Sequence, residues 1–477
     1  MAKADTASFE RSFERGRDSA YLGAGGPSRG AFAGVSGSTD AASETMRPYG
    51  ARELHRLQRN TFRYFWEETN PRNGLIPDNT AAGEIPASIA GVGFALASYP
   101  VAVERGFVSR EGALERALAT LRFFWTARQG SAPDATGHRG FFYHFLDVAT
   151  GRRAWRCELS TIDTALLVAG ALTAAAYFDR ESEGERELRE LADSMYRRVD
   201  WQWARNGGAT LCHGWKPESG FLKARWEGYS EAQILYVLAL GSPTHPVPPS
   251  SYRAFTSTFR WKKLYGHELV YGGPLFMHQL SHVWIDFRGI QDAFMRRHQS
   301  DYFENSRRAT YVNQQYAIRN PRKWRGYGPH GWGITASNGP GPATRKVGGV
   351  DRRFLGYRAR GVPYGPDDGT LAPWAVAASL PFAPEIVLAT LAHCAASYPS
   401  TENEHGLVCS FNPTFPSPGA RHAGWVSRDH FALDQGPVIL MIENYRSGLL
   451  WRLMRGCPAI VTGLGRAGFA GGWLAAG

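Results

Sequence analysis

Helical periodicity recurs from Glu53 to about residue 455 of this chain, and no strands alternate with it in a βαβ rhythm. Leu54, Leu57, Thr61 and Phe65 fall at helical spacing, as do Leu114, Leu118, Leu121 and Trp125. Ser160-Thr-Ile-Asp163 has the form of a capping box and opens an Ala/Leu-rich segment that reaches Phe178. Residues 183–203 read as a charged amphipathic helix, and 229–240 as a buried one, apolar nearly all round. Further helices are expected over 292–318, 382–397 and 437–455, with Pro384 and Pro437 near the first helical position, where no N–H is needed. Long Gly-, Pro- and aromatic-rich connections separate them, at 70–87, 129–158, 205–228, 320–380 and 399–432. One of these holds a β-hairpin, 140–146 against 154–158, turning at Thr150-Gly151. The pattern excludes a doubly wound parallel sheet. It predicts an all-α scaffold carrying long loops and a small β-hairpin, and helix pairs about every 40–60 residues suit an α/α toroid.

The remaining composition narrows the function. At 477 residues and 43% hydrophobic, the chain can bury a large core. Residues 1–45 are rich in Gly, Ala, Ser and charge and read as a tail without a core; 46–470 read as the folded domain. Aromatics are abundant, with 15 Trp, 20 Tyr and 26 Phe, and an exposed indole is a platform for a sugar ring. The net charge of +11 is spread as short pairs such as Arg296-Arg297, Arg307-Arg308, Arg322-Lys323 and Arg352-Arg353. That is a solvated basic surface and no nucleic-acid footprint. Five cysteines without a CxxC spacing predict reduced, buried thiols and neither a disulfide scaffold nor a zinc module. No run of 18 apolar residues could span a membrane. The first residues lack the apolar stretch of a signal peptide, which predicts a cytoplasmic protein, or a periplasmic one if the start codon is misassigned.

Two acids stand out at helix starts amid aromatics and small residues. Glu231 lies in Trp226-Glu-Gly-Tyr229-Ser-Glu231-Ala-Gln, where it reads either as a first-turn acid after the cap Ser230 or as a desolvated general acid. Asp434 lies in Leu433-Asp-Gln-Gly-Pro437, where it reads either as an N-cap or as a base able to activate water. Two carboxyls across a cleft are what glycosidic-bond cleavage requires. In a toroid the inner helices run parallel, so Glu231, Asp434 and Asp163 would gather at one mouth. Asp163 alternatively serves the capping box, and Glu158 alternatively pairs with Arg156. His278, His282 and Asp286, spaced i, i+4 and i+8, would share one helix face. Without the glutamate of a zincin motif they read as core or substrate contacts, and no metal or other cofactor is expected. Asp367-Asp368-Gly-Thr370 lacks the alternating ligands of a calcium loop and reads as a turn, with one aspartate facing the site.

From about Leu54 to Phe469 the chain resembles the glucoamylase-like (glycoamylase) family, which includes endo-β-1,2-glucanases of glycoside hydrolase family 144 and the cyclisation domain of cyclic β-1,2-glucan synthases. The matching stretches include Thr61-Phe-Arg-Tyr-Phe-Trp66, Gly74-Leu-Ile-Pro-Asp78, Gly140-Phe-Phe-Tyr-His-Phe145 and Glu158-Leu-Ser-Thr-Ile-Asp-Thr164. Trp332-Gly-Ile-Thr-Ala336, Asp368-Gly-Thr370 and Leu433-Asp-Gln-Gly-Pro437 follow in the same order. The resemblance implies an (α/α)6 barrel and inverting hydrolysis of β-1,2-glucan. Glu231 then matches the general acid, acting directly or through a sugar hydroxyl, and Asp434 the general base. Their carboxyls should stand roughly 6.5–9.5 Å apart, or farther with a relay. Glu158 and Asp163 match acids lining the cleft. Tyr143, Trp215, Trp226, Tyr229 and Trp332 are the expected stacking platforms. His144, Arg156, His278, His282, Asp286 and Asp368 complete the expected substrate contacts. Asn338, where many relatives are expected to carry Asp, is a departure. Three rivals stand beside hydrolysis: a transglycosylase that cyclises or remodels the glucan, a non-catalytic glucan-binding protein, and nucleic-acid binding through the +11 charge, which would make DNA affinity steeply salt-dependent. An oligo- or polysaccharide is the expected partner in hydrolysis and in the first two rivals, and no nucleic acid is expected.

Overall fold

Six inner helical segments close a ring in the computed structural model, which describes residues 49–417 and 424–475. The tail expected over 1–45 lies outside these residues. Along the chain the helices are α1 (Ala51–Glu67), α2 (Ile89–Glu104), α3 (Arg110–Thr126), α4 (Thr161–Tyr177) and α5 (Glu183–Arg198). They continue as α6 (Gln233–Gly241), α7 (Pro249–Ser257), α8 (Ala293–Arg297), α9 (Tyr302–Arg319) and α10 (Pro373–Ala377). The last are α11 (Pro384–Ser397), α12 (Ala432–Arg446), α13 (Leu449–Arg455) and α14 (Pro458–Ala467).

The inner ring runs α2, α4, α6, the two 3₁₀ turns Leu275–His278 and Leu280–Val283, α10 and α12, which returns to α2. Two buried side chains make the joints where the contacts are thinnest. Ser281 Oγ accepts the Ile234 amide at 3.1 Å, tying the 3₁₀ segment to α6. Gln279 Nε2 donates to the Ala375 carbonyl at 2.7 Å, tying it to α10. This is an α/α toroid. Outer helices such as α1 are amphipathic: Leu54, Leu57, Phe62 and Phe65 face inward, and each buried side chain contributes about 1.5–3 kcal/mol of apolar transfer free energy. Inner α2 and α4 are buried on nearly all sides. They approach closely because both carry glycine at the crossing: a Cβ on Gly170 would stand 2.0 Å from the Gly93 carbonyl oxygen.

Several expected boundaries move. The helix over 292–318 is two helices, with the Asp301 side chain accepting the Glu304 amide to start α9. That over 183–203 stops at Arg198, where Val199 turns extended. That over 437–455 begins at Ala432, so Pro437 lies inside α12, and Gly448 in the left-handed region (φ +69°) separates α13. Residues 278–286 are not an α-helix, so His278, His282 and Asp286 do not share a helical face.

The hairpin over 140–158 forms, with Leu146 bridged to Arg153 and Asp147 Oδ1 accepting the Thr150 amide at its turn. It belongs to a five-stranded antiparallel sheet, ordered Gly137–His138, Phe141–Tyr143, Leu159–Ser160, Gly214–Lys216, Gly220–Phe221. Phe142 pairs with Ser160, and Leu159 with Trp215, so this sheet holds the start of α4 in place. A second hairpin, Ala343–Val347 with Val350–Phe354, turns at Gly348-Gly349, both at positive φ as a two-residue turn demands. The five cysteines are free and buried. Among the described residues no helix is long and apolar enough to cross a membrane.

Candidate active site

The N-terminal ends of five of the six inner segments meet at one pocket. Asp163 comes from the first turn of α4, Glu231 from just before α6, Phe276 and Leu280 from the 3₁₀ segment, Trp374 from α10 and Asp434 from α12. His144, Glu158, His213, Trp226, Tyr357 and Phe431 add further polar and aromatic groups to the wall.

Glu231 is 4% exposed, and its Oε2 has no hydrogen-bond partner. Burial pushes its carboxyl up to about 7, and the nearby Asp163 charge adds to the rise. The cap expected from Ser230 is displaced. Helix α6 begins at Gln233 with Ala232 as N-cap, so Glu231 precedes the first turn. Ser281 supplies the local order instead: its hydroxyl donates to the Glu231 carbonyl at 2.7 Å and accepts the Ile234 amide. Sequence reasoning passed over Ser281, although it lies between the two histidines singled out there.

Asp434 is 6% exposed and is the third residue of α12, not its N-cap; Phe431 holds that position without a side-chain cap. The helix starts early because the backbone is already fixed there. The Ala432 amide donates to Asp78 O at 3.0 Å and the Gln435 amide to Phe431 O at 3.0 Å.

Along the wall the imidazole of His144 lies between two acids. Its Nδ1 is 3.0 Å from Glu158 Oε1, and its Nε2 is 3.6 Å from Asp163 Oδ2. Burial disfavours the imidazolium, but Asp163 and Glu158 outweigh it and raise the group to about 9. Burial likewise opposes ionisation of Glu158, yet the His144 hydrogen bond brings it below its ordinary value. Burial leaves Asp163 raised. The capping box is altered: Ser160 Oγ accepts the Asp163 amide at 3.3 Å and donates to the Asp163 carboxylate. Glu158 is thus held by His144; Arg156, its expected partner, has a side chain 83% exposed beside Glu218. Trp226 stacks on His213 with centroids 3.9 Å apart, its Nε1–H donating to Thr161 Oγ1 at 2.9 Å. Burial pushes His213 down to about 4, so this face is uncharged.

Of the residues expected from the sequence, Glu231, Asp434, His144, Glu158, Asp163 and Trp226 line this pocket, and the others do not. Tyr143 is fully buried under Arg153, and Trp215 stacks on His138 at 4.9 Å. Tyr229 packs between Tyr302 and His278. His278 is hydrogen-bonded by the Gly272 carbonyl and Asn305, and His282 by Ser306. Asp286 pairs with Arg288 and Arg455. Trp332 Nε1–H donates to Thr390 Oγ1 at 2.8 Å, and Asp368 is locked on Arg360. Each is held by packing, hydrogen bonds or ion pairs within the fold and away from the pocket lining. Phe276, Tyr357 and Trp374 are pocket residues that no local pattern singled out, because they come from a 3₁₀ turn, a loop and a five-residue helix.

The chain matches the family model Glycoamylase over residues 223–458. It is 28% identical over 445 residues to a Parabacteroides distasonis exo β-1,2-glucooligosaccharide sophorohydrolase acting at the non-reducing end. That match covers 86% of this chain and 57% of the relative, so the chain spans little more than half the relative's length. A Bacteroides uniformis protein described by name as a glucoamylase has a solved structure with a TM-score of 0.77 at 30% identity, covering 89% of this chain and 98% of that one. An endo-β-1,2-glucanase of Chitinophaga pinensis, solved with sophorotriose and glucose, has a TM-score of 0.76 at 28% identity, covering 89% of this chain and all of that one.

Proposed function

The chain belongs to the glycoamylase family, and from that membership and two of its pocket carboxyls, Glu231 and Asp434, we propose that it hydrolyses β-1,2-glucan with inversion at the anomeric carbon. Glu231 is the general acid and Asp434 the general base. The observation that carries this reading is Glu231, a carboxyl buried in a pocket wall with one oxygen unpartnered and its ionisation pushed up to about 7. A carboxyl of that kind keeps its proton near neutral pH until an acceptor arrives, as a general acid must. Asp434 takes a proton from water as the water oxygen bonds to the anomeric carbon. The glycosidic bond breaks, and the leaving oxygen receives the Glu231 proton, directly or through a sugar hydroxyl. His144, Glu158 and Asp163 supply charged and polar groups for sugar hydroxyls, and Trp226 an aromatic face. Residues 46–470 are the catalytic domain in this reading.

The names of the relatives support β-1,2-glucan as the substrate. The test is chromatography of products from linear β-1,2-glucan, with wild-type protein beside Asp434→Asn. A ladder of short oligosaccharides means endo-cleavage, and sophorose alone means exo-cleavage; either should vanish in the variant while glucan binding persists. Products that survive in Asp434→Asn remove the assigned base, and larger or cyclic products shift the reading to transfer.

A further inference from the structure

A second cavity, of about 560 Å³, opens next to the pocket, and its lining includes Trp155, Asn79, Glu68, Glu84 and Asp147 but no lysine or arginine. Their walls touch at two places. Asn79 bridges through its backbone to Phe431, which lines the pocket. Trp155 packs against Phe145 with centroids 5.0 Å apart, and Phe145 stacks at 3.9 Å on His144, another pocket residue.

The backbone at Trp155 is unusual. Trp155 (φ +51°) and Arg156 (φ +49°) are consecutive non-glycine residues in the left-handed region, which a bulky side chain seldom adopts. The surroundings hold them there. The Ala154 amide donates to Phe145 O at 2.9 Å and the Cys157 amide to Ala154 O at 3.1 Å. The Arg156 carbonyl accepts from Arg153 at 2.8 Å and from Lys216 at 3.0 Å. What this twist achieves is an indole on the cavity wall. The indole faces a lining whose ionisable groups are all acidic. Such a surface matches a neutral sugar: C–H groups meet the ring, and vicinal hydroxyls donate to carboxylates. It repels anionic polymers.

We propose that this cavity is a distal subsite for a neutral glucosyl unit of the same glucan chain, with Trp155 as its stacking platform. The proposal rests on the β-1,2-glucan reading, so its test must separate the two. Wild type, Trp155→Ala and Trp155→Phe are compared on a size-fractionated series of β-1,2-gluco-oligosaccharides, by kcat/KM and by calorimetric affinity. Trp155→Ala should reduce the preference for long over short chains by ~10-fold, mainly through KM, and Trp155→Phe should recover most of it. A loss in Trp155→Ala that is equal for short and long chains, with a lowered melting temperature, makes Trp155 structural and overturns the subsite. No loss on any chain also overturns it. If wild type cleaves nothing, the hydrolase reading fails, and calorimetry decides the subsite alone. Chain-length-dependent binding lost in Trp155→Ala sustains it, whereas no binding of these glucans ends it.

Discussion

Nδ1 of His144 lies 3.0 Å from Oε1 of Glu158, an ion pair inside the pocket wall, with Asp163 on the other ring nitrogen. The histidine is raised from 6.5 to about 9 in the folded protein. Its charge therefore stabilises the fold fully below about pH 6.5, and that contribution is lost as pH rises through about 9. Its size is at most on the order of 3 kcal/mol. His144→Gln should melt well below wild type at pH 6, and the gap should narrow by pH 10. Melting curves at the two pH values check this; a gap independent of pH would mean that His144 is neutral.

Glu231 runs with the opposite chemistry. Its carboxyl rises from 4.5 to about 7, so the folded protein binds the proton more tightly than the unfolded chain. Stability then falls as pH climbs from about 4.5 to 7, by on the order of 3 kcal/mol. Glu231→Gln removes that penalty. The variant should melt above wild type at pH 8 and close to it at pH 4, while losing at least 10²–10⁴-fold in turnover. Wild-type activity should decline as pH passes about 7. A variant that is both inactive and less stable at pH 8 would contradict the buried, protonated acid.

What the sequence disclosed follows from where each signal resides. Helices with a one-sided apolar stripe, such as α1, are visible because their outer face remains polar. The capping serine of α4 was legible, since Ser160 and Asp163 act within one turn. Inner segments were harder to delimit. Helices α6 and α12 are buried almost throughout and lack a side-chain cap, so no apolar/polar stripe or capping residue marks the first turn, and Pro437 draws the expected boundary to itself. The acids Glu231 and Asp434 stood out because a carboxylate in such company is costly without a task. Trp332, Tyr229 and Asp368 stand out as well, yet each is engaged inside the fold: Trp332 Nε1–H donates to Thr390, Asp368 pairs with Arg360, and the Tyr229 ring packs against Tyr302 and His278. Aromatic identity alone does not distinguish a sugar platform from a core ring.

The Gly93–Gly170 crossing fixes the distance between the first two inner helices. Gly170→Ala would place a methyl 2.0 Å from the Gly93 carbonyl oxygen, a contact that only backbone displacement relieves. A destabilisation of about 1–3 kcal/mol is expected, as for other overpacked cores. Because α4 carries Asp163, activity should fall along with stability. Gly465→Ala in α14, where the added methyl meets nothing within 4 Å beyond its own helix, is the control and should melt at or slightly above wild type. Equal melting temperatures for the two variants would mean the crossing has slack.

Asp368 tests the difference between a substrate contact and a positioning residue. Its two oxygens lie 2.7 and 2.9 Å from the Arg360 guanidinium, and both side chains are buried. The same guanidinium donates to Ser337 O at 2.6 Å and Gly356 O at 3.0 Å, and Ser337 and Tyr357 line the pocket. Asp368→Ala leaves a buried cation unpaired, which costs about 3–5 kcal/mol. The double variant Asp368→Leu/Arg360→Met removes both charges and should recover much of that loss, because an apolar pair of similar volume avoids desolvation. Activity should recover less, since Ser337 and Gly356 have lost their donor. A substrate-binding aspartate would behave otherwise: Asp368→Ala would fold with wild-type stability and raise KM, and the double variant would gain nothing. Denaturant melts and steady-state kinetics on the three variants separate the two cases.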